Sequence, residues 1–157
     1  MRDIRDCQAS DVEFVAKLWE ILWHSAHSNI VPQELVRLRT RESFVQRTHE
    51  LINHIRVCGS GEAQGFSITR KDELYQLYVS ATAQGTGLAK LLIEDAETQI
   101  KTSGFSRCWL VCAVGNERAS AFYKKRGWEL KRTETHELET SEDAFLLECW
   151  RFEKTLK

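Results

Sequence analysis

A chain of 157 residues is the length of one domain, read here as a single unit over 1–157, and its 42% hydrophobic and 29% charged content suits a packed core under a solvated surface. A formal net charge of −1 excludes a nucleic-acid binder that works by bulk charge, so no nucleic-acid partner is expected. No signal-peptide core is evident at the N-terminus and no apolar run approaches a membrane span, so no membrane partner is expected either. The five cysteines are odd in number and contain no Cys-x-x-Cys pair, which points to a reduced, cytoplasmic protein. No ligand spacing among cysteines and histidines supports a metal site, and none is expected.

Residues 2–7 read as a short first strand. Ser10 or Asp11 can cap the helix that follows, with Glu13 in its first turn. That helix carries Val12, Val15, Ala16, Leu18, Trp19, Leu22 and Trp23 as an apolar stripe and ends near residues 27–29. Pro32 suits the start of a second helical region, in one piece or two, whose apolar positions run from Leu35 to Ile52. Ile55–Cys58 reads as a strand, Gly59, Ser60 and Gly61 as a turn, and Ala63–Thr69 as the next strand.

The stretch from Glu73 to Ser103 organises the chain. Leu74, Tyr75, Leu77, Tyr78 and Val79 predict a strand that is apolar on both faces. Leu88, Leu91, Leu92, Ala96 and Ile100 predict a helix stopped by Gly104. Between them, Gly85 and Gly87 let the backbone approach a ligand closely, just where a helix start presents unpaired N–H groups and a positive dipole end. That combination is a phosphate site. A dinucleotide fingerprint would need glycine where Lys90 stands, and a nucleoside-triphosphate loop would need a Gly-Lys pair, which is absent.

Phe105–Val114 then reads as a buried strand, in which Cys108 and Cys112 simply pack. Asn116 caps a short helix whose Ala119, Phe122 and Tyr123 share one face, and Gly127 closes it after three basic residues. Glu129–Leu138 reads as a solvated strand, Thr140–Asp143 as a loop and Ala144–Phe152 as the final strand. This order predicts an α+β sandwich around a mixed sheet.

Two segments carry a family resemblance. Leu77, Val79, Gln84, Gly87 and Ala89 meet the pattern of a strand ending Leu-x-Val followed by Arg/Gln-x-x-Gly-x-Gly/Ala. Asn116, Ala119, Phe122, Tyr123, Gly127 and Trp128 meet Asn-x-x-Ala-x-x-Phe-Tyr-x-x-x-Gly-Phe/Trp. Together they resemble the GNAT superfamily of N-acetyltransferases, with Ala81 standing where that family often has proline. The resemblance implies a three-layer α/β/α sandwich with a central mixed, splayed sheet of about seven strands. It also implies transfer of the acetyl group of acetyl-CoA, as co-substrate, to a primary amine of a small molecule or a peptide, by direct attack in a ternary complex.

Carried onto this sequence, the resemblance places the pantetheine arm along Leu77, Tyr78 and Val79, with the Leu77 N–H as donor to the thioester oxygen. Gln84, Gly85, Thr86, Gly87, Leu88, Ala89 and Lys90 would cradle the pyrophosphate. Asn116, Ala119, Phe122 and Tyr123 complete the cofactor side, with Tyr123 either the general acid toward the departing thiolate or only packed beside the thiol; Asn116 either bonds near the arm or only caps its helix. Glu73 is either the base that serves the amine or a solvated turn charge. Trp23, His24 and His27, on the first helix, are candidates for the acceptor side, against packing roles for each. A homodimer fits the family. The competing reading is a non-catalytic acyl-CoA sensor on the same fold. No Gly-x-Ser-x-Gly occurs, so a serine hydrolase is not supported.

Overall fold

The computed structural model describes residues 3–59 and 62–157. In chain order the elements are β1 (Ile4–Asp6), α1 (Val12–His27), α2 (Gln33–Leu38), α3 (Arg41–Glu50), β2 (Ile55–Cys58), β3 (Gly65–Arg70), β4 (Glu73–Val79), α4 (Leu88–Thr102), β5 (Arg107–Ala113), α5 (Glu117–Lys125), β6 (Glu129–Leu138) and β7 (Phe145–Thr155). The strands form one seven-stranded sheet in the order β1-β2-β3-β4-β5-β7-β6. Every neighbouring pair is antiparallel except β4 and β5, which run parallel. The mixed α+β architecture read from the sequence is therefore the one observed. The second helical region is two helices. Arg2, within the expected first strand, and Ser60 and Gly61, within the expected turn, lie outside the described residues.

Helix α1 buries Val15, Trp19, Trp23 and His27, one row at i, i+4 spacing that faces the sheet. Trp19 is fully buried, with Phe44 of α3 at 5.4 Å and Phe66 of β3 at 5.8 Å between ring centroids. Thr40 caps α3 by accepting the Ser43 N–H at 3.1 Å. The start of α1 corrects the expected cap. Asp11 holds the N-cap position, but its carboxylate turns back, accepting the Gln8 N–H at 2.8 Å and two Arg5 N–H groups at 2.8 and 2.9 Å. A charge-assisted, bidentate arginine contact outcompetes the local helix N–H groups.

Helices α1, α2 and α3 cover one face of the sheet, packing on Ile55, Val57, Phe66 and Ile68. The other face carries α4 and α5. Leu88 and Leu92 pack against Cys58 and Val79, while Ile93, Ala96, Ile100 and Tyr123 pack against Leu74, Leu110 and Phe152. The result is three layers, with the sheet in the middle.

Two irregularities in β4 shape the centre. Its register with β3 runs Ile68 to Gln76 and then Thr69 to Leu74, so Tyr75 is an extra residue in a bulge. The bulge lets Leu74, Leu77 and Val79 face α4 while Tyr75 and Tyr78 pack toward α1. With β5 the only register pair among the described residues is Glu73 to Trp109. Past that pair the two parallel strands separate, and the sheet opens.

Candidate active site

The opening holds two joined cavities. The larger is a cleft of about 820 Å³ running from the β4 end to the loop before α4 and along α5. The smaller, about 140 Å³, lies deeper, between the sheet and the α1–α3 layer. Leu77, Tyr78, Asn116, Ala119 and Tyr123 line both.

At one end of the cleft stands the N-terminus of α4. Gly87 occupies its N-cap position with φ 86°, and Gly85 has φ 78°, a left-handed backbone that a side chain would strain. No side chain caps this helix, so its opening N–H groups face the cleft without an intrahelical partner. Lys90 in the first turn of α4 and Arg118 in the first turn of α5 stand at this end, and Lys125 and Arg126 line the cleft from the far end of α5. Arg118 donates to Gln84 Oε1 at 2.5 Å, tying α5 to the glycine loop. The Arg126 Nε is buried without a partner. Uncapped amides, a helix dipole and the nearby Lys90 and Arg118 form a site fitted to a polyphosphate.

The cleft brings together Leu77, Tyr78, Val79, Gln84, Gly85, Gly87, Ala89, Lys90, Asn116, Ala119, Phe122 and Tyr123. Leu88 and Thr86 take no side-chain part. Leu88 is buried in the core, and the Thr86 hydroxyl donates to the Ala83 carbonyl. Asn116 does cap α5, accepting the Ala119 N–H at 3.3 Å, while also lining both cavities. Burial pushes the Tyr123 phenol well above its ordinary pKa, so it stays protonated.

The inner cavity is walled by Glu73, Trp23 and His27 among the expected residues. Glu73 is 7% exposed, which removes the solvated-turn alternative. Arg70 donates to it at 3.2 Å, yet burial outweighs that contact and raises its pKa. His27 donates its Nδ1–H to the Trp23 carbonyl at 2.8 Å and stacks on the Trp23 ring, leaving Nε2 as its free lone pair. Burial lowers its pKa and keeps the imidazole neutral. His24 is not brought in. Its Nε2 donates to the Arg39 carbonyl at 2.6 Å, and it lines neither cavity.

Sequence reasoning missed the cations. Arg39 and Arg47 line the inner cavity and Arg118 the cleft, and none belongs to a motif. For Arg118 the available signal was its place beside Asn116 in the first turn of α5. His27, by contrast, lies on the i+4 row of Val15, Trp19 and Trp23, which marks it as inward-facing.

A single parallel strand pair that opens within a mixed sheet, beside an uncapped, glycine-led helix, is the frame of an acyltransferase that takes a phosphorylated carrier. The family model for GNAT acetyltransferases matches residues 13–128, and the chain belongs to that family. Solved structures share its fold. A GCN5-related N-acetyltransferase from Rhodopseudomonas palustris superposes with a TM-score of 0.78 at 17% identity, covering 99% of this chain and 96% of its own. The PaiA N-acetyltransferase from Thermoplasma acidophilum, solved in complex with coenzyme A, gives 0.71 at 19% identity and 99% of both chains. An N-acetyltransferase from Staphylococcus aureus gives 0.69 at 19% identity, covering 100% of this chain and 99% of its own. At these identities the likeness is one of fold. No curated protein matches the sequence. Among the described residues no group of three or more His, Cys, Asp or Glu side chains could hold a metal ion, and no helix is long and apolar enough to cross a membrane.

Proposed function

We propose that this protein moves the acetyl group of acetyl-CoA to a primary amine within a ternary complex. The observation that carries this is the junction of the two cavities at Leu77, Asn116 and Tyr123: a carrier lying in the cleft would present its acyl end where a second molecule enters from the inner cavity.

The carrier supplies an activated thioester; the chain supplies position and protons. The opened edge of β4 at Leu77–Val79 offers backbone groups that hold an extended pantetheine arm as an added strand would. The Leu77 N–H is the donor we assign to the acyl oxygen, where fixed amides stabilise developing negative charge. Backbone N–H groups from Gly85 to Lys90 bind the pyrophosphate, with Arg118 beside them.

An amine acceptor must be neutral to attack. A lysine-like amine sits about 3.4 pKa units above pH 7, a penalty of about 4–5 kcal/mol. Glu73 takes that proton, directly or through a water. Its raised pKa brings it nearer the working pH, where a general base is most effective. Tyr123 delivers a proton to the departing sulfur. A buried phenol is a weak acid, but the same burial raises the thiol's pKa, so placement rather than acidity drives the transfer.

Thiol release from acetyl-CoA, measured over a panel of amino acids, polyamines, aminoglycosides and peptides with acetyl-CoA binding in parallel, tests the reading. Turnover on an amine class is expected. Tight acetyl-CoA binding with no turnover on any acceptor would replace it with the acyl-CoA sensor.

A further inference from the structure

The inner cavity holds two guanidinium groups that, among the described residues, no carboxylate meets at ion-pair distance. Arg39 is 4% exposed. One of its N–H groups donates to the Glu139 carbonyl at 2.7 Å, and its Nε is buried without a partner. Arg47 donates to the Tyr75 hydroxyl at 2.8 Å and lies over the Trp19 ring at 4.3 Å, and its Nη1 is likewise buried and unpartnered. Among the described residues neither arginine has a carboxylate within ion-pair distance. Glu73, the acid in the cavity wall, is already taken by Arg70.

Beyond a small attraction from Glu139 on Arg39, the weakest of the influences on that group, the remaining groups add no negative charge. Burial keeps His27 neutral, and the Tyr78 phenol is pushed above its ordinary range by burial. Burial first, and then the neighbouring Arg47 charge, push Arg39 down to about 10, so the two cations repel each other in a poorly solvated space. A buried charge without a partner is strongly unfavourable, and a bidentate anion is the group that relieves it. Glu73 lines the same cavity, and because Arg70 binds its Oε1, Oε2 is the oxygen that can meet an ammonium. The volume of about 140 Å³ is that of about five waters at about 30 Å³ each, so the acceptor's buried part is small.

We propose that the acceptor is a small zwitterion of the amino-acid type, whose carboxylate is bound by Arg39 and Arg47 while its amine faces Glu73 and the acyl end of the cleft. This rests on the acetyltransferase reading above and narrows its substrate class. The amine nitrogen bonds to the acetyl carbon and the carbon–sulfur bond breaks. Glu73 takes one proton from the ammonium before attack, the thiolate takes the Tyr123 proton, and the nitrogen's second proton restores the Tyr123 phenol, giving an N-acetyl amino acid and the free thiol. An acceptor with only positive charges, such as a polyamine, would leave both arginines unpaired and add to their repulsion.

The test compares each protein amino acid with its own carboxamide, and spermidine with both, at fixed acetyl-CoA. For the preferred side chain the free acid should exceed its amide by at least about a hundredfold in kcat/KM, because a site built to pair a charged group leaves it unpaired with the analogue. Arg39→Gln should collapse that ratio to within about tenfold, acting on KM more than on kcat, while amide turnover persists. Arg47→Gln serves the same purpose where the first variant fails to fold. Amides or spermidine used as well as the acids by the wild-type protein would overturn the proposal. If no acceptor turns over, heat protection decides. N-acetyl amino acids with coenzyme A should raise the melting temperature of the wild type where N-acetyl amides do not, and equal or absent protection would overturn the proposal. Acetyl-CoA titration alone reports separately on the acetyltransferase reading.

Discussion

Glu73 and Trp109 face each other in the register pair that joins β4 to β5, and beyond them the sheet divides. Trp109 fastens this point from both sides. Its backbone N–H donates to the Asp72 carbonyl at 3.1 Å, its indole N–H donates to the Asp72 carboxylate at 3.1 Å, and the Arg151 guanidinium lies 4.4 Å from its ring. The pair therefore sets where the cleft begins. Trp109→Ala should lower stability by about 2 kcal/mol, below the value for a fully buried tryptophan because this ring is half-buried. Denaturant unfolding measures it. A loss under about 0.5 kcal/mol, the size of an ordinary surface substitution, would deny the pair that role.

The carboxylate of Glu73 predicts a pH profile. Burial is the first cause of its raised pKa, and Arg70 only partly opposes it. The group must be ionised to accept a proton, so kcat/KM should fall on the acid side with an inflection above the ordinary value of 4.5. Glu73→Gln should lower kcat/KM by about a hundredfold or more and remove that limb. A variant that keeps the acid limb would assign the proton to another group, with His27 the next candidate in the cavity wall.

Much of this site is legible in the sequence because it is local. Gly85 and Gly87 must stand where the backbone turns left-handed before α4, and Asn116, Ala119 and Tyr123 fall on one turn-to-helix segment. The inner cavity is not local. Arg39 follows α2, Arg47 lies on the inward face of α3 beside Phe44 and Thr48, and Glu73 opens β4, so only the packed sheet brings them together. On charge alone such arginines read as solvated. The bulge at Tyr75 was hidden too, since strict alternation would put Leu74 and Tyr78 on one face where the structure puts them on two. His24 and His27 looked equivalent as acceptor-side residues. Three positions along a helix are 300° of rotation, enough to turn His27 inward and leave His24 on the Arg39 carbonyl.

Tyr123→Phe separates chemistry from binding. The ring packs 5.9 Å from Phe152 and 6.1 Å from Trp128, and phenylalanine keeps those contacts. Turnover should fall by about tenfold to a hundredfold with acetyl-CoA affinity nearly unchanged. Steady-state kinetics with calorimetric titration measures both, and wild-type kinetics in the variant would remove the acid role.

At the start of α1, Asp11 gives a stability prediction with a definite sign. The Arg5 hydrogen bonds, aided by the Gln8 N–H, hold its pKa below the ordinary aspartate value of 3.8. Its contribution is therefore complete above 3.8 and is lost as pH falls through the lowered folded-state value. Asp11→Asn should cost about 1 kcal/mol at neutral pH, and the difference from wild type should shrink as the pH is taken below the carboxylate range. Thermal unfolding across pH reads it; a constant difference would show that the charge plays no part.

The most direct measurement is a calorimetric titration of acetyl-CoA into the wild-type protein and into Ala119→Trp. Ala119 lines both cavities at their junction and is only half-buried, so an indole there fills open cleft rather than core. One-to-one binding by the wild type, weakened at least about a hundredfold in the variant with an unchanged circular dichroism spectrum, is the predicted result. Equal affinity in the two proteins would contradict the placement of the carrier between β4 and β5, and with it the assignment of the cleft.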